Sequence, residues 1–118
     1  MTRKRFIVEL GTGVDLHGMN VTKAACRAVR DAIGRSCLCG LVEILAKTQL
    51  QDIQVDILIA CPFPDQVDFE AVKAEVPIGI KTARAELGGM QAAGLCVQEF
   101  GEDCDTIVVA NAAVTVSV

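Results

Sequence analysis

Aromatic residues are scarce in this sequence, which contains four phenylalanines and no tryptophan or tyrosine. A folded core must therefore be built from aliphatic side chains, and hydrophobic residues make up 52% of the chain. This fraction, beside 22% charged residues, is typical of globular proteins and excludes a disordered chain. A length of 118 residues suits one domain. We predict a single α/β domain over residues 1–118.

The sequence also lacks an excess of basic residues and any long hydrophobic run. Its net charge is −4, and no basic patch carries interleaved aromatic residues, which disfavours a nucleic-acid partner. No apolar stretch reaches the ~18 residues needed to cross a bilayer, and the first residues lack the apolar core of a signal peptide. We therefore expect a cytoplasmic protein that has neither a nucleic acid nor a membrane as its partner.

Residues that bind metals are few. His17 is the one histidine of the chain, whereas histidine-based metal sites need two or three imidazole ligands. Cys37 and Cys39 are spaced more tightly than the cysteine pairs of zinc sites. We predict no metal site and no cofactor. The six cysteines, in a chain without an export signal, are expected to be reduced and mostly buried thiols.

Hydrophobic periodicity predicts the element order β-α-β-α-β-β. In the first strand, Phe6, Val8 and Leu10 alternate with more polar residues and are expected to form the apolar face. Asn20 is a good N-cap for a helix over 21–33, whose apolar positions form one unbroken stripe. The predicted elements are strands over 4–10, 53–60, 78–87 and 105–118, helices over 21–33 and 69–76, and a short helix over 41–46, while 90–102 is ambiguous.

These elements predict an α+β fold with a single mixed sheet. Strands joined by crossover helices run parallel, either as neighbours or with another strand inserted, and the last strands should pair antiparallel. The two main helices then cover one face of the sheet. A bare apolar face needs a partner subunit, so we expect a homo-oligomer.

The segment 11–20 is predicted to be a loop between the first strand and the first helix, where α/β proteins often bind ligands. Gly11, Gly13 and Gly18 permit backbone angles closed to other residues, but their spacing matches neither the dinucleotide fingerprint nor a Walker loop. Backbone N–H groups near Asn20 could hold an anion or a carboxylate. The alternative is a wide turn without a ligand.

Asp15 and His17 are the strongest candidates in this loop for a catalytic pair. A carboxylate near an imidazole raises its pKa and fixes its tautomer, which is what a general base requires. Alternatively, His17 hydrogen-bonds the loop backbone and Asp15 caps a turn. Cys61, at the end of the second predicted strand, is either a nucleophile or a buried thiol.

Two polar residues interrupt predicted strands and are candidate ligand contacts. Lys81 is functional if it points inward and an ordinary solvated charge if it points outward. Asn111 either bridges a neighbouring strand or points into a pocket, because a buried amide must find hydrogen-bond partners.

Four motifs together resemble a family of short bacterial α/β proteins known by a locus-tag name. The resemblance covers nearly the whole chain and implies a small cytosolic single domain, without specifying a chemistry. The motifs are Gly11-x-Gly13-x-Asp15-x-His17-Gly18, Asn20-Val-Thr-Lys-Ala-Ala25, Ile59-Ala-Cys-Pro62 and Asn111-Ala-Ala-Val114.

The sequence is also similar to the repeated domain of ring-opening amidohydrolases, the cyanuric acid hydrolase and barbiturase class. This similarity implies that Asn20 and Thr22 lie at the helix start of the site and that Cys61 takes the place of the nucleophilic serine. The architecture resembles the chorismate mutase-like and YjgF-like folds, which implies a trimer with ligand pockets between subunits.

Two hypotheses about function follow. In the first, the protein is a homo-oligomer, a trimer or its multiple, that binds a small polar molecule at the 11–20 loop near a subunit interface. His17, oriented by Asp15, would move a proton in a hydrolysis or isomerisation, and Cys61 would be a nucleophile or a pocket wall. In the second, the protein is non-catalytic, and the loop makes subunit contacts only.

Overall fold

The computed structural model describes residues 3–96, 99 and 105–118. The predicted element order is confirmed, with a short strand added inside 90–102, a stretch of which residues 97, 98 and 100–102 lie outside the described residues. The short helix predicted over 41–46 is a single turn. The elements are β1 (Arg5–Asp15), α1 (Val21–Ile33), α2 (Gly40–Glu43), β2 (Gln54–Cys61), α3 (Phe69–Lys73), β3 (Ile80–Leu87), β4 (Met90–Ala93) and β5 (Thr106–Ser117).

The strands form one mixed sheet in the order β1-β5-β2-β3, and β4 pairs with β5. β5 is antiparallel to β1, β2 and β4, whereas β2 and β3 are parallel. β1 and β2 therefore run in the same direction with β5 inserted between them. α1 packs on β1 and β5, and α3 packs on β3 and α1. The predicted α+β fold with a single mixed sheet is confirmed.

α1 covers β1 and β5 and has the predicted bounds. The Asn20 side chain accepts the Lys23 N–H at 3.0 Å, so the predicted N-cap is confirmed. Its buried side chains are small, which lets the helix lie close to the strands. They belong to Val21, Ala24, Ala25, Cys26, Ala28, Val29 and Ala32.

β1 continues past residue 10 to Asp15, so the prediction of a loop that begins at Gly11 is wrong. Neither Gly11 nor Gly13 has a positive φ. Both lie directly under α1, where a Cβ on Gly11 would be 2.3 Å from the Ala28 carbonyl oxygen and one on Gly13 would be 2.1 Å from that of Ala24. Glycine is needed at both positions because the helix backbone leaves no room for a side chain.

The two faces of β1 are the reverse of the prediction. Val8 and Leu10 are 46% and 66% exposed, because they point away from α1. Glu9 points to the helical side and is only 8% exposed. A shift in the β1–β5 register leaves Phe6 packed against the core. The apolar alternation of β1 is therefore displayed on the outer side of the sheet.

The second helical region is shorter than predicted. α3 begins at Phe69 and ends at Lys73, whereas the sequence predicts a helix to residue 76. The Asp68 side chain accepts the N–H groups of Glu70 and Ala71, which caps the helix. In the described part of the chain, no helix is long and apolar enough to cross a membrane.

The cysteines differ from the expectation of reduced, mostly buried thiols. Cys26 and Cys61 are free and buried, whereas Cys37 and Cys39 are free and exposed. Cys96 is disulfide-bonded. The prediction is therefore correct for Cys26 and Cys61. Cys37 and Cys39 are reduced as predicted but exposed, because they lie in the irregular segment between α1 and α2, and the disulfide of Cys96 contradicts the prediction.

Candidate functional site

Asp15 closes the turn between β1 and α1. It is 5% exposed, and its Oδ2 accepts the Asn20 N–H at 2.9 Å. Its Oδ1 lies 3.5 Å from Nη1 of Arg27, and the same Nη1 donates to the Val14 carbonyl oxygen at 2.7 Å. The carboxylate thus joins the strand end, the turn and the helix, which supports the turn-capping alternative for Asp15.

The turn itself contains His17 and Gly18. His17 is half-buried, while Gly18 has a φ of +95° and Met19 a φ of 53°. Two consecutive residues in the left-handed region let the chain reverse between strand and helix, and glycine adopts that region at little cost. Gly18 therefore serves the geometry of the turn, and the general-base role of His17 stays a prediction.

Thr22 joins the start of α1 to the segment that precedes α3. Its Oγ1 donates to the Gln66 carbonyl oxygen at 3.4 Å and accepts the Asp68 N–H at 3.0 Å. Asn20 is likewise engaged with the backbone as the N-cap of α1. Both residues predicted at the helix start thus hold secondary structure in place, and their contact with a ligand stays a prediction.

Cys61 ends β2 on the helical side of the sheet, where it is fully buried. Burial raises the pKa of its thiol above the ordinary value of 9.0, which disfavours the thiolate that a nucleophile needs. Because β5 lies between β1 and β2, their ends are two strand spacings apart, about 10 Å. The fold therefore does not place Cys61 beside Asp15.

We expect a disulfide reagent such as DTNB to separate the free thiols of the native protein into two classes. Cys37 and Cys39 should react quickly, whereas Cys26 and Cys61 should react ~100-fold more slowly, because they must wait for the fold to open. Burial also raises the pKa of both buried thiols. Absorbance kinetics of the native protein and of the Cys37→Ser and Cys39→Ser variants measure this. Fast modification of Cys61 in the native state would contradict its buried position.

Lys81 lies at the other end of the sheet from the turn. Across the sheet, Lys81 is in register with Val55 of β2, Val116 of β5 and Ile7 of β1. The strand from Ile7 to Asp15 is about 26 Å long. Lys81 therefore cannot act together with the Asp15 turn within one chain.

The structure thus separates most of the predicted site residues. Only Asp15, His17, Gly18 and Asn20 share the turn. The others lie elsewhere: Gly11 and Gly13 under α1, Thr22 against the α3 segment, Cys61 in the core, Lys81 at the far end of the sheet and Asn111 on its outer side. Among residues 3–96, 99 and 105–118, no group of three or more His, Cys, Asp or Glu side chains could hold a metal ion.

Charged side chains from α1 and the residues after it cover the free edge of β1. Three such side chains, four residues apart in sequence, lie in line along the helix. Each pairs with a backbone group of one β1 residue, and the three β1 residues are every second one along the strand. The pairs are Arg35 Nη2 to the Leu10 carbonyl oxygen at 3.0 Å, Asp31 Oδ2 with the Thr12 N–H at 2.9 Å, and Arg27 Nη1 to the Val14 carbonyl oxygen at 2.7 Å. An edge whose polar groups are paired resists the addition of another strand.

On one side of the sheet no helix lies among the residues that the structure describes, and this side is called the open face here. It displays alternate residues of four neighbouring strands, and these include large aliphatic side chains among polar ones. The open face consists of Val8, Leu10 and Thr12 of β1, Asn111, Ala113 and Thr115 of β5, Gln54, Asp56, Leu58 and Ala60 of β2, and Thr82, Arg84 and Glu86 of β3.

Polar side chains of the open face are paired with one another across strands. Asn111 Nδ2 donates to Thr12 Oγ1 at 3.1 Å, which is the bridge to a neighbouring strand that one alternative predicts, while a ligand contact of Asn111 stays a prediction. Thr82 Oγ1 donates to Asp56 Oδ1 at 2.5 Å, and Gln54 Nε2 donates to the same oxygen at 2.9 Å. Because the neutral groups of Asn111 and Thr12 already have each other as partners, covering this pair costs less desolvation energy than covering unpaired polar groups.

A cavity of about 360 Å³ lies on the helical side of the sheet, and sequence reasoning missed it. Its walls are mainly aliphatic, and Glu9 reaches it from β1. Ser36 Oγ donates to Glu9 Oε2 at 2.5 Å. The signal that could have found it is the strand alternation, which puts Glu9 on the same side as Gly11 and Gly13, the side that α1 covers.

Comparisons with known proteins agree with one of the resemblances described above. Residues 5–116 match the model of Lin0512_fam, described as a conserved hypothetical protein family, which confirms the resemblance to a family with a locus-tag name. A crystal structure from Nostoc punctiforme PCC 73102, described as an FtsZ-like protein of unknown function, is 41% identical with a TM-score of 0.91, over 100% of this chain and 98% of that one. No curated protein matches. The similarity to ring-opening amidohydrolases stays a prediction.

Proposed function

The chain belongs to the conserved hypothetical protein family Lin0512_fam, and from this premise we propose that it is a non-catalytic protein that assembles with copies of itself through its open face. The observation that carries the proposal is Leu10, which is 66% exposed beside Val8 on a sheet face without a helix. Burying one leucine side chain contributes about 1.5–3 kcal/mol. A row of such residues on one face is typical of an interface.

The polar residues of the open face also suit a covered surface. The cross-strand pair of Asn111 with Thr12 satisfies both groups within one chain. A second copy can therefore pack on this pair without leaving it unpaired, while Arg84 and Glu86, on the edge strand β3, suit the polar rim of the contact. The open face spans four strands, and seven residues of each would give it roughly 19 Å by 23 Å. This footprint of roughly 440 Å² is about half of the ~800 Å² that each partner buries in a standard interface.

Assembly through the face is favoured over assembly through the edge. The Arg27, Asp31 and Arg35 side chains already occupy the outer backbone groups of β1. A partner strand would have to displace all of them, at a cost of about 1 kcal/mol or more for each bond. Two sheets packed face to face, as in a sandwich, keep these bonds intact.

Of the two hypotheses drawn from the sequence, this proposal takes the second and moves the contact from the 11–20 segment to the open face. Support for the change comes from Asp15, which closes a turn, and from Cys61, which is buried with a raised pKa. Catalysis by His17, a small polar substrate and a trimeric state stay predictions. The number of copies in the assembly is measured by the sedimentation experiment described next.

We expect sedimentation velocity of the wild-type protein to give a mass that is a multiple of the monomer mass. Leu10→Lys should raise the dissociation constant about 100-fold, because it loses apolar burial and desolvates a charge at each contact. Ile44→Lys is the matched control, since Ile44 is 80% exposed but lies after α2, away from the open face. Circular dichroism checks that both variants fold.

Two results would contradict the proposal. One is a wild-type protein that remains monomeric at the highest concentration tested. The other is an oligomer that Leu10→Lys and Ile44→Lys weaken equally, because the contact would then lie elsewhere on the surface.

A further inference from the structure

The cavity on the helical side has the dimensions and lining of a small-molecule site. It lies between the end of α1, the 36–42 segment and the strands β2 and β5. Its volume of about 360 Å³ falls in the range of ligand pockets and corresponds to on the order of a dozen water volumes. Aliphatic side chains form most of the wall, among them Ile33, Leu38, Leu41, Val114 and Val116.

Among the described residues that line the cavity, Glu9 is the acidic one. It is 8% exposed and lies beside aliphatic residues of the lining such as Val114, with which it is in register. In the described part of the chain it forms no ion pair, and the hydrogen bond recorded for it comes from the neutral Ser36 hydroxyl. A carboxylate withdrawn from water is costly unless a positive partner or several donors accompany it.

The Arg35 guanidinium, which contacts the residue next to Glu9, is already engaged. It donates to the Leu10 carbonyl oxygen and to Asp31 Oδ2 at 3.1 Å. Arg5 lies four residues before Glu9 on β1, about 13 Å away along the strand. A positively charged group of a ligand could therefore pair with the Glu9 carboxylate in the cavity.

We propose that this cavity binds a small molecule that joins a positively charged amine to an apolar body. The ammonium group would donate to Glu9, whose orientation Ser36 fixes, and the aliphatic walls would cover the apolar part. A charge-assisted hydrogen bond in such a site is about twice as strong as a neutral one. The proposal is independent of assembly, because the cavity and the open face lie on opposite sides of the sheet.

The cavity also has an entrance that a ligand can use. Cys37, Cys39 and Val42 contribute to its lining and are exposed to solvent. Apart from α2, the segment that carries them has no regular structure between α1 and residue 49. A ligand can therefore enter at this rim without the sheet or α1 having to move.

The test uses three probes with the same six-carbon chain: n-hexylamine, 1-hexanol and hexanoate. We expect n-hexylamine to bind most tightly in a titration followed by NMR chemical shifts, with shifts at residues around Glu9. We expect 1-hexanol to bind about tenfold more weakly, and hexanoate to bind least, because its charge repels Glu9. The isosteric variant Glu9→Gln should weaken n-hexylamine about tenfold and leave 1-hexanol nearly unchanged.

Glu43→Gln is the matched control. It removes the same charge from an exposed position on α2 that does not line the cavity. It should leave the affinity for n-hexylamine unchanged, and the NMR spectrum of each variant reports whether it is folded. The proposal is overturned if the three probes bind equally, if none binds, or if Glu9→Gln and Glu43→Gln have the same effect.

Discussion

Replacing Gly13 by alanine is expected to lower the free energy of unfolding by about 4 kcal/mol or more. The added Cβ would lie 2.1 Å from the Ala24 carbonyl oxygen and 2.2 Å from the Ala28 nitrogen. Both contacts are with the backbone of α1, so no side-chain rotation can relieve them, and the helix must move away from β1. Core overpacking alone costs 1–3 kcal/mol, and here the buried helix face would also lose its contacts. Urea unfolding followed by circular dichroism measures the change.

Two other glycines provide controls for this prediction. A Cβ on Gly40 would be 3.1 Å from the nearest atom of the Phe6 ring, a side chain that can shift, so Gly40→Ala should change stability by less than about 1 kcal/mol. Gly18→Ala should cost about 1–2 kcal/mol, because alanine is strained at its φ of +95°. A Gly13→Ala protein as stable as Gly40→Ala would show that α1 does not lie as close to β1 as described.

Asp15→Ala is expected to lower the free energy of unfolding by about 2–3 kcal/mol. The substitution leaves the Asn20 N–H without its acceptor in a partly buried position and removes a side chain that is only 5% exposed. Loss of the ion pair with Arg27 lowers the free energy of unfolding by less, because the Arg27 side chain is 47% exposed and solvent screens the pair. Asp15→Asn keeps an acceptor oxygen and should cost about 1 kcal/mol. Thermal and urea unfolding of both variants provide the measurement.

Asp65→Ala serves as the control for Asp15, because Asp65 is an exposed carboxylate in the loop before α3. It should change stability by less than about 0.5 kcal/mol. If Asp15→Ala is equally mild, the carboxylate does not hold the turn. The interpretation of Asp15 and His17 as a catalytic pair would then be favoured over a structural role for Asp15.

Much of the local structure could be read from the residues in order. The repeat of small apolar residues from Val21 to Ile33 and the amide of Asn20 predict α1 with correct bounds, since both signals come from residues close together along the chain. The strands β2, β3 and β5 follow from short apolar runs. These features depend on neighbours along the chain, which a single sequence contains.

The candidate sites were less accessible to sequence reasoning. Gly11 and Gly13 look like loop residues until α1 is placed above them, and glycine is equally compatible with a turn and with a close helix contact. Glu9 looks like a solvated charge beside Val8 and Leu10. Its burial depends on residues that are distant in sequence, including Ser36.

Periodicity and capping chemistry alone establish that this chain forms an α+β sheet, where α1 begins and ends, and that part of one face of β1 is apolar. They do not establish which face of β1 the helices cover, because alternation is symmetric between the two sides of a strand. Packing settles it: α1 can approach β1 only over Gly11 and Gly13, so Glu9 turns inward to the cavity and Leu10 outward to the open face.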